Sequence, residues 1–177
     1  MKKIIISFFA ILLITGCTPP TEEIDVAKEE EAIKALIEKE ISLHVDRDYD
    51  EEMEIFKKAD DIMVINNPGR NHNQVVGWDS IYVGNKRYLE HEAWKDVTNY
   101  KVECTDFNIK VYDKVAWAVY YTQGSWEYKG EPYDSKVAKI TILEKVDDNW
   151  KYVLNSNTPV NPCEDEDEDD EGDEEDE

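Results

Sequence analysis

Histidine and cysteine occur only three times each in 177 residues. No C-x-x-C or Cys/His cluster is present, so nothing in the spacing points to a metal site. Gly-rich phosphate loops, nucleophile elbows and zinc-helix motifs are also missing, which removes kinases, the usual serine hydrolases and zinc peptidases. Bases are scarce: 20 Lys+Arg stand against 42 Asp+Glu, a formal net charge of −22. Nucleic-acid binders carry basic patches, so no nucleic acid is expected as a partner. Apolar runs long enough to span a bilayer as a helix are absent too. Proton-transfer chemistry and small-molecule binding survive these exclusions.

What is present is unevenly spread. Positions 164–177 hold 13 acids and no base, while positions 1–16 hold two lysines and no acid. The segment from Cys17 to Cys163 keeps 29 acids and 18 bases, a net of −11. That length and composition suit one domain with appendages, rich enough in apolar residues to bury a core. The acidic block Glu164–Glu177 has no apolar side chain to bury, so residues 161–177 read as a disordered tail, either a solvated bristle or a lure for a basic partner.

The first residues read as an address. Lys2 and Lys3 precede an apolar run from Ile4 to Ile14, then small residues and Cys17, the layout of a secretory signal. Leu13-Ile14-Thr15-Gly16-Cys17 resembles the bacterial lipobox. The resemblance implies cleavage after residue 16, a diacylglycerol on Cys17 and export to the cell envelope, where more than one acyl chain anchors stably. Residues 17–27 then form a tether, stiffened by Pro19 and Pro20. Cys104 and Cys163 remain; an exported protein could pair them, though spacing leaves that open.

Residues 28–160 read as one α+β domain. Ile33, Ile37 and Ile41 repeat at four within a helix over 22–44, widened by Leu36 and Leu43, with Glu and Lys on the other face. Asp48 followed by Glu51 is a capping-box start for a short helix that buries Met53 and Phe56. Ile62–Ile65 is a strand stopped by Asn66-Asn67-Pro68-Gly69, with a short return at Val75-Val76. Asp79 is placed to cap a third helix reaching about Trp94. From Thr98 the period becomes two, with a slip at Thr105-Asp106 that reads as a bulge. Turns at Asp113-Lys114, Lys129-Gly130 and Asp147-Asn149 separate four long strands. The second of them, Val115–Tyr121, is apolar on both faces and reads as a central strand covered on both sides. Long antiparallel strands after helices predict helices packed on one sheet.

The order of these elements resembles the nuclear transport factor 2-like superfamily and, within it, the SnoaL-like domains. The stretches that carry the resemblance are Val45–Asp50, Ala59–Ile62, Val76-Gly77-Trp78, Tyr112–Trp117 and Leu143–Lys151, over roughly residues 28–158. It implies a cone: three helices packed against a strongly bent, mainly antiparallel sheet, with a pocket at the open end. Catalytic members use carboxylates, Tyr and His in an apolar cone. Many relatives carry a histidine shortly after the final tryptophan; Lys151–Pro159 has none, and Asn155, Ser156 and Asn157 stand there.

Within that frame His44, one turn past Ile41, is either a base or polar anchor in the cone or a partly buried structural histidine. Trp78, Tyr82, Trp94, Trp117, Tyr120, Tyr121 and Trp126 form an aromatic set that lines a pocket or packs the core. Lys139 interrupts an apolar strand, pointing either into the cone or to water. Two functions fit. One is a membrane-tethered, non-catalytic domain binding a small apolar ligand without a cofactor, or self-associating through its sheet. The other is an isomerase, cyclase or dehydratase, which needs a carboxylate or His and a Tyr converging in one pocket. The anchor is tested directly: fatty-acid labelling in the wild type should vanish in Cys17→Ala. Equal label in both would end the lipoprotein reading.

Overall fold

The fold, seen in a computed structural model, is described for residues 24–67 and 73–160. Cys17 with the segment before it, His72, Cys163 and the acidic tail lie outside the described residues. Helix α1 spans Val26–Asp46. Asp25 caps it, its carboxylate accepting from the Lys28 N–H at 3.2 Å. Its predicted stripe is buried at Ile33, Ile37 and Ile41. Arg47 ends the helix in the left-handed region, φ 60°. Asp48 then caps α2 (Tyr49–Glu54), accepting from the Glu51 N–H at 3.2 Å. Met53 and Phe56 are buried, as the capping-box reading requires.

Strands β1 (Met63–Asn66) and β2 (Asn73–Val76) pair antiparallel. Helix α3 covers Trp78–Leu89, shorter than expected. Its cap is Gly77, not Asp79, and no side chain caps it. Gly77 sits at φ 88°, where a side chain would be strained, and its N–H donates to the Ile62 carbonyl at 2.9 Å. The chain breaks after Leu89 and restarts as a 3₁₀ turn at Glu92–Asp96, capped by His91.

Four long strands follow: β3 (Val97–Tyr112), β4 (Val115–Tyr128), β5 (Glu131–Val146) and β6 (Asn149–Pro159). The six-stranded sheet runs β2-β1-β6-β5-β4-β3. Only β1 against β6 is parallel. The expected bulge in β3 falls between Thr105 and Asn108, with Asp106 at φ 56°. A second lies between Thr98 and Lys101. Such bulges bend a strand, and α1 lies across β3 on the concave side.

Alternation on β4 sends Ala116, Ala118 and Tyr120 inward, where they meet Ile33, Ile37, Met53, Phe56, Ile62, Ile81, Leu143 and Tyr152. Among the described residues nothing covers the other face of β4, contrary to the two-sided expectation: Val115 is 45% and Ile140, across from Val119, 48% exposed. The helices all pack on the inner face, so apolar residues on both sides of β4 do not make two cores. Among the described residues no helix is long and apolar enough to cross a membrane.

The narrow end of the cone is closed by Glu29 near the start of α1. Lys145 donates to its Oε1 at 2.6 Å and the Trp150 indole N–H to its Oε2 at 2.7 Å. The Lys145 bond first, and the Trp150 bond against the cost of burial, hold the Glu29 carboxyl below its ordinary 4.5. A depressed carboxyl stabilises the fold above the unfolded value and loses that contribution as pH falls through the folded one. Glu29→Ala should therefore cost about 2 kcal/mol at neutral pH in urea unfolding. The gap from wild type should narrow below about pH 4. A gap that stays constant from neutral pH to pH 3 would refute this role.

Candidate functional site in the cone interior

Glu40 lies three residues after Ile37 and seven after Ile33, on the buried stripe of α1 rather than its solvent face. On β5 the same inward phase that carries Leu143 and Thr141 carries Lys139, directly across from Tyr120 on β4 and Asn157 on β6. Lys139 Nζ stands 3.6 Å from Glu40 Oε1, and the two side chains are 12% and 5% exposed. The lysine therefore points into the cone, and a charge pair joins helix to sheet inside an otherwise apolar layer.

Polar groups gather around it. Tyr120 and Tyr152 are fully buried, and Asn155 and Glu52 nearly so. Thr141 donates to the Leu154 carbonyl at 2.8 Å and Asn157 to Asn66 Oδ1 at 2.7 Å. Six buried atoms make no hydrogen bond of good geometry among the described residues: Glu40 Oε2, Glu52 Oε2, the Tyr120 and Tyr152 hydroxyls, which lie close enough to influence each other, Asn155 Oδ1 and Asn157 Oδ1. Native interiors pair nearly all such groups, so this concentration is unusual for plain core.

Burial first, and the Glu40 carboxylate among the charges beside them, push the Tyr120 and Tyr152 phenols well above their ordinary range. Both stay protonated and act as neutral hydrogen-bonding groups. Burial also lifts the Cys104 thiol to about 11, against the pull of Lys139. Cys104 is free and faces inward beside Thr122, a thiol rather than a nucleophile near neutrality.

Towards the open end, His44 Nδ1 lies 3.6 Å from Glu52 Oε2. Its ring stacks on Tyr88 at 6.2 Å and meets Tyr100 edge-on at 6.5 Å. Trp94 bridges Tyr88 and Tyr100, each at 5.4 Å, and Trp126 extends the rim at 6.2 Å from Tyr100. Arg47 covers Trp94, its guanidinium carbon 5.0 Å from the ring centre. The Tyr100 phenol is pushed up to about 12, by burial first and then by Tyr88, Glu40 and Glu52.

From the sequence-derived set, Tyr120 and Lys139 face each other in the buried layer, while His44, Trp94 and Trp126 belong to the aromatic cluster around Tyr100. Trp117 and Tyr121 are not in either group: they lie an odd number of residues from Tyr120 and so stand on the opposite face, with Tyr121 under Lys136 at 4.5 Å. Trp78 and Tyr82 stack at 5.2 Å but turn to α2. Trp78 donates to the Met53 carbonyl and Tyr82 to Asp50. Sequence reasoning missed Glu40, Glu52, Tyr88, Tyr100, Tyr152, Asn155 and Asn157. The spacing of Glu40 from Ile33 and Ile37 was a readable signal. A solvent-open hollow of about 530 Å³ lies elsewhere, between α1, α2 and the β5–β6 turn. Its lining pairs its own charges, Lys39 with Glu51 and Lys151 with the Glu54 carbonyl.

Removing one partner of a buried pair leaves the other charge uncompensated. Lys139→Met should cost about 3 kcal/mol or more in urea unfolding, and adding Glu40→Met should recover most of the loss. Additive losses in the double variant would show that the two do not interact.

Comparison with known proteins agrees with this geometry. No curated protein matches the chain. Among solved structures it is similar to an uncharacterised cystatin-like-fold protein of Caulobacter vibrioides, 20% identical, covering 76% of this chain and 92% of that one at TM-score 0.61. It is similar to a nuclear transport factor 2-like superfamily protein of Salmonella enterica, 13% identical, covering 80% and 97% at TM-score 0.64. A protein of Catenulispora acidiphila solved in complex with S-DNPA is 14% identical, with 75% and 94% covered at TM-score 0.62. At these identities the likeness is one of fold. The family model of the SnoaL-like domain matches residues 33–156, and the chain belongs to that family.

Proposed function

We propose that the cone interior is a small-molecule binding site, carried by an exported lipoprotein that lipidated Cys17 holds at the membrane. The observation that carries the binding reading is the set of six buried polar atoms without a partner among the described residues, Glu40 of the Glu40–Lys139 pair among their owners. A buried unpaired group costs roughly 1–3 kcal/mol, so a core kept only for packing has no reason to hold six. A ligand, with water, pairs them, while Phe107 stacked on Tyr120 at 5.4 Å supplies apolar wall. The Catenulispora relative, solved with S-DNPA, is consistent with ligand binding on this fold. Self-association through the outer sheet face belongs to the same reading, with Val115 and Ile140 near half exposed there.

A second reading is favoured by one feature. His44, Glu52, Tyr88 and Tyr100 converge, the combination that proton-transfer chemistry of the isomerase, cyclase or dehydratase type requires. It differs from the first only in whether the bound molecule is altered.

Native mass spectrometry of the gently purified chain tests both. A bound small molecule is expected on the wild type. Replacing both Tyr120 and Tyr152 by Phe removes two unpaired hydroxyls, so the melting temperature should hold or rise while retention falls about tenfold or more. Full retention at an unchanged melt would refute the site. Under the second reading His44→Ala keeps the molecule bound but stops its conversion.

A further inference from the structure

The unpartnered atoms are chemically one-sided. Glu40 Oε2, Glu52 Oε2, Asn155 Oδ1 and Asn157 Oδ1 only accept hydrogen bonds, and the two phenols can do either. A ligand that satisfies this interior must bring donors. The charges are one-sided too. Two carboxylates are buried, Glu40 and Glu52, and one ammonium, Lys139, stands beside Glu40. Among the described residues Glu52 has only His44 beside it, at 3.6 Å, beyond hydrogen-bonding distance and charged only if protonated. His44 is also four residues beyond Glu40 on α1, about 6 Å of helix rise nearer the open end. The Lys139 charge and the Glu52 carboxylate are therefore served by different stretches of the cone.

The walls on the Glu52 side are aromatic. Tyr88 stacks on the His44 ring and Tyr100 meets it edge-on, and Trp94 meets both tyrosines edge-on, with neighbouring ring centres 5.4 to 6.5 Å apart. Ring faces attract cations, and Arg47 over Trp94 already uses that attraction at the outer edge. Among the described residues no three His, Cys, Asp or Glu side chains come together as ligands for a metal ion. A buried carboxylate beside a cluster of aromatic rings suits an organic cation.

We propose that the cone takes an ammonium-bearing small molecule, its charge seated against the Glu52 carboxylate at the rim of His44, Tyr88 and Tyr100. This rests on the ligand-binding reading of the cone and adds the chemical class. The ammonium donates to Glu52 and faces the rings. The rest of the molecule reaches inward, where further donors meet Asn155, Asn157 and the free oxygen of Glu40.

Calorimetric titration of the full chain with three probes of one shape and different charge tests this: benzylammonium, benzyl alcohol and benzoate. Benzylammonium should bind at least tenfold more tightly than benzyl alcohol, and benzoate should give no measurable binding. Glu52→Gln should weaken benzylammonium at least tenfold and leave benzyl alcohol unchanged, with the melting temperature held or raised. Tyr88→Ala, on a ring 55% exposed and thus safe to remove, should weaken benzylammonium several-fold. Equal binding of the alcohol and the ammonium, preference for benzoate, or no effect of Glu52→Gln would each overturn the cation assignment. So would failure of all three probes to bind. A natively purified chain that carries a neutral or anionic molecule sinks the cation assignment alone. A chain that purifies empty and binds no probe sinks the binding reading with it.

Discussion

A charged helix residue and a charged strand residue face each other where both elements would ordinarily present apolar side chains. Glu40 and Lys139 meet at 3.6 Å inside the cone, and much of the interior takes its character from them. Taking two charges out of water is expensive, and their attraction offsets that only if the remaining lone pairs are also served. The cone therefore cannot close down to a dry hydrocarbon core at that level. Tyr120 and Tyr152 present hydroxyls there, and Asn155 and Asn157 present amides. Towards the narrow end the demand is already met: Glu29, with Lys145 and Trp150, forms a finished network, and Ile33 and Leu143 pack apolar beside it. The same helix thus seals one end and leaves the other chemically unsatisfied.

Most of the architecture was legible because it depends on local rules. The repeat of Ile33, Ile37 and Ile41, the cap at Asp48, the slip at Thr105-Asp106 and the three tight turns all appear where their residue types demand. The failures also have physical causes. Asp79 looked like a cap, yet Gly77 starts α3 because the backbone must enter at positive φ beneath Ile62. Apolar residues on both faces of β4 looked like two cores, but covering a face needs an element to cover it, and all three helices lie inside.

The site was less legible because it joins residues far apart in sequence. His44 and Lys139 could be suspected from position, while Glu52 could not: it sits in a helix of six residues, too short to show a stripe. Tyr88 and Tyr100 come together with His44 only through the break after Leu89 and the turn at Glu92–Asp96. Charge on a helix normally means a solvated face, and that default concealed Glu40. Its spacing from the buried isoleucines was the stronger signal, since position on a face constrains a side chain more than its residue type does.

The irregularity in β6 has a consequence for how this protein is set beside its relatives. Tyr152 pairs with Leu143 and Leu154 with Ile142, so Val153 is one residue more than the ladder needs. Before it, Trp150 and Tyr152 face inward; after it, Asn155 and Asn157 do. Parity along the strand is reversed by a single residue. The same residues laid down as an unbroken ladder, with no bulge at Val153, would turn both asparagines to solvent and line the cone with Leu154 and Ser156 instead. The chemistry of the pocket is thus written in where the strand bulges as much as in side chains. Two chains with identical residues along this strand could hold different molecules through the bulge alone.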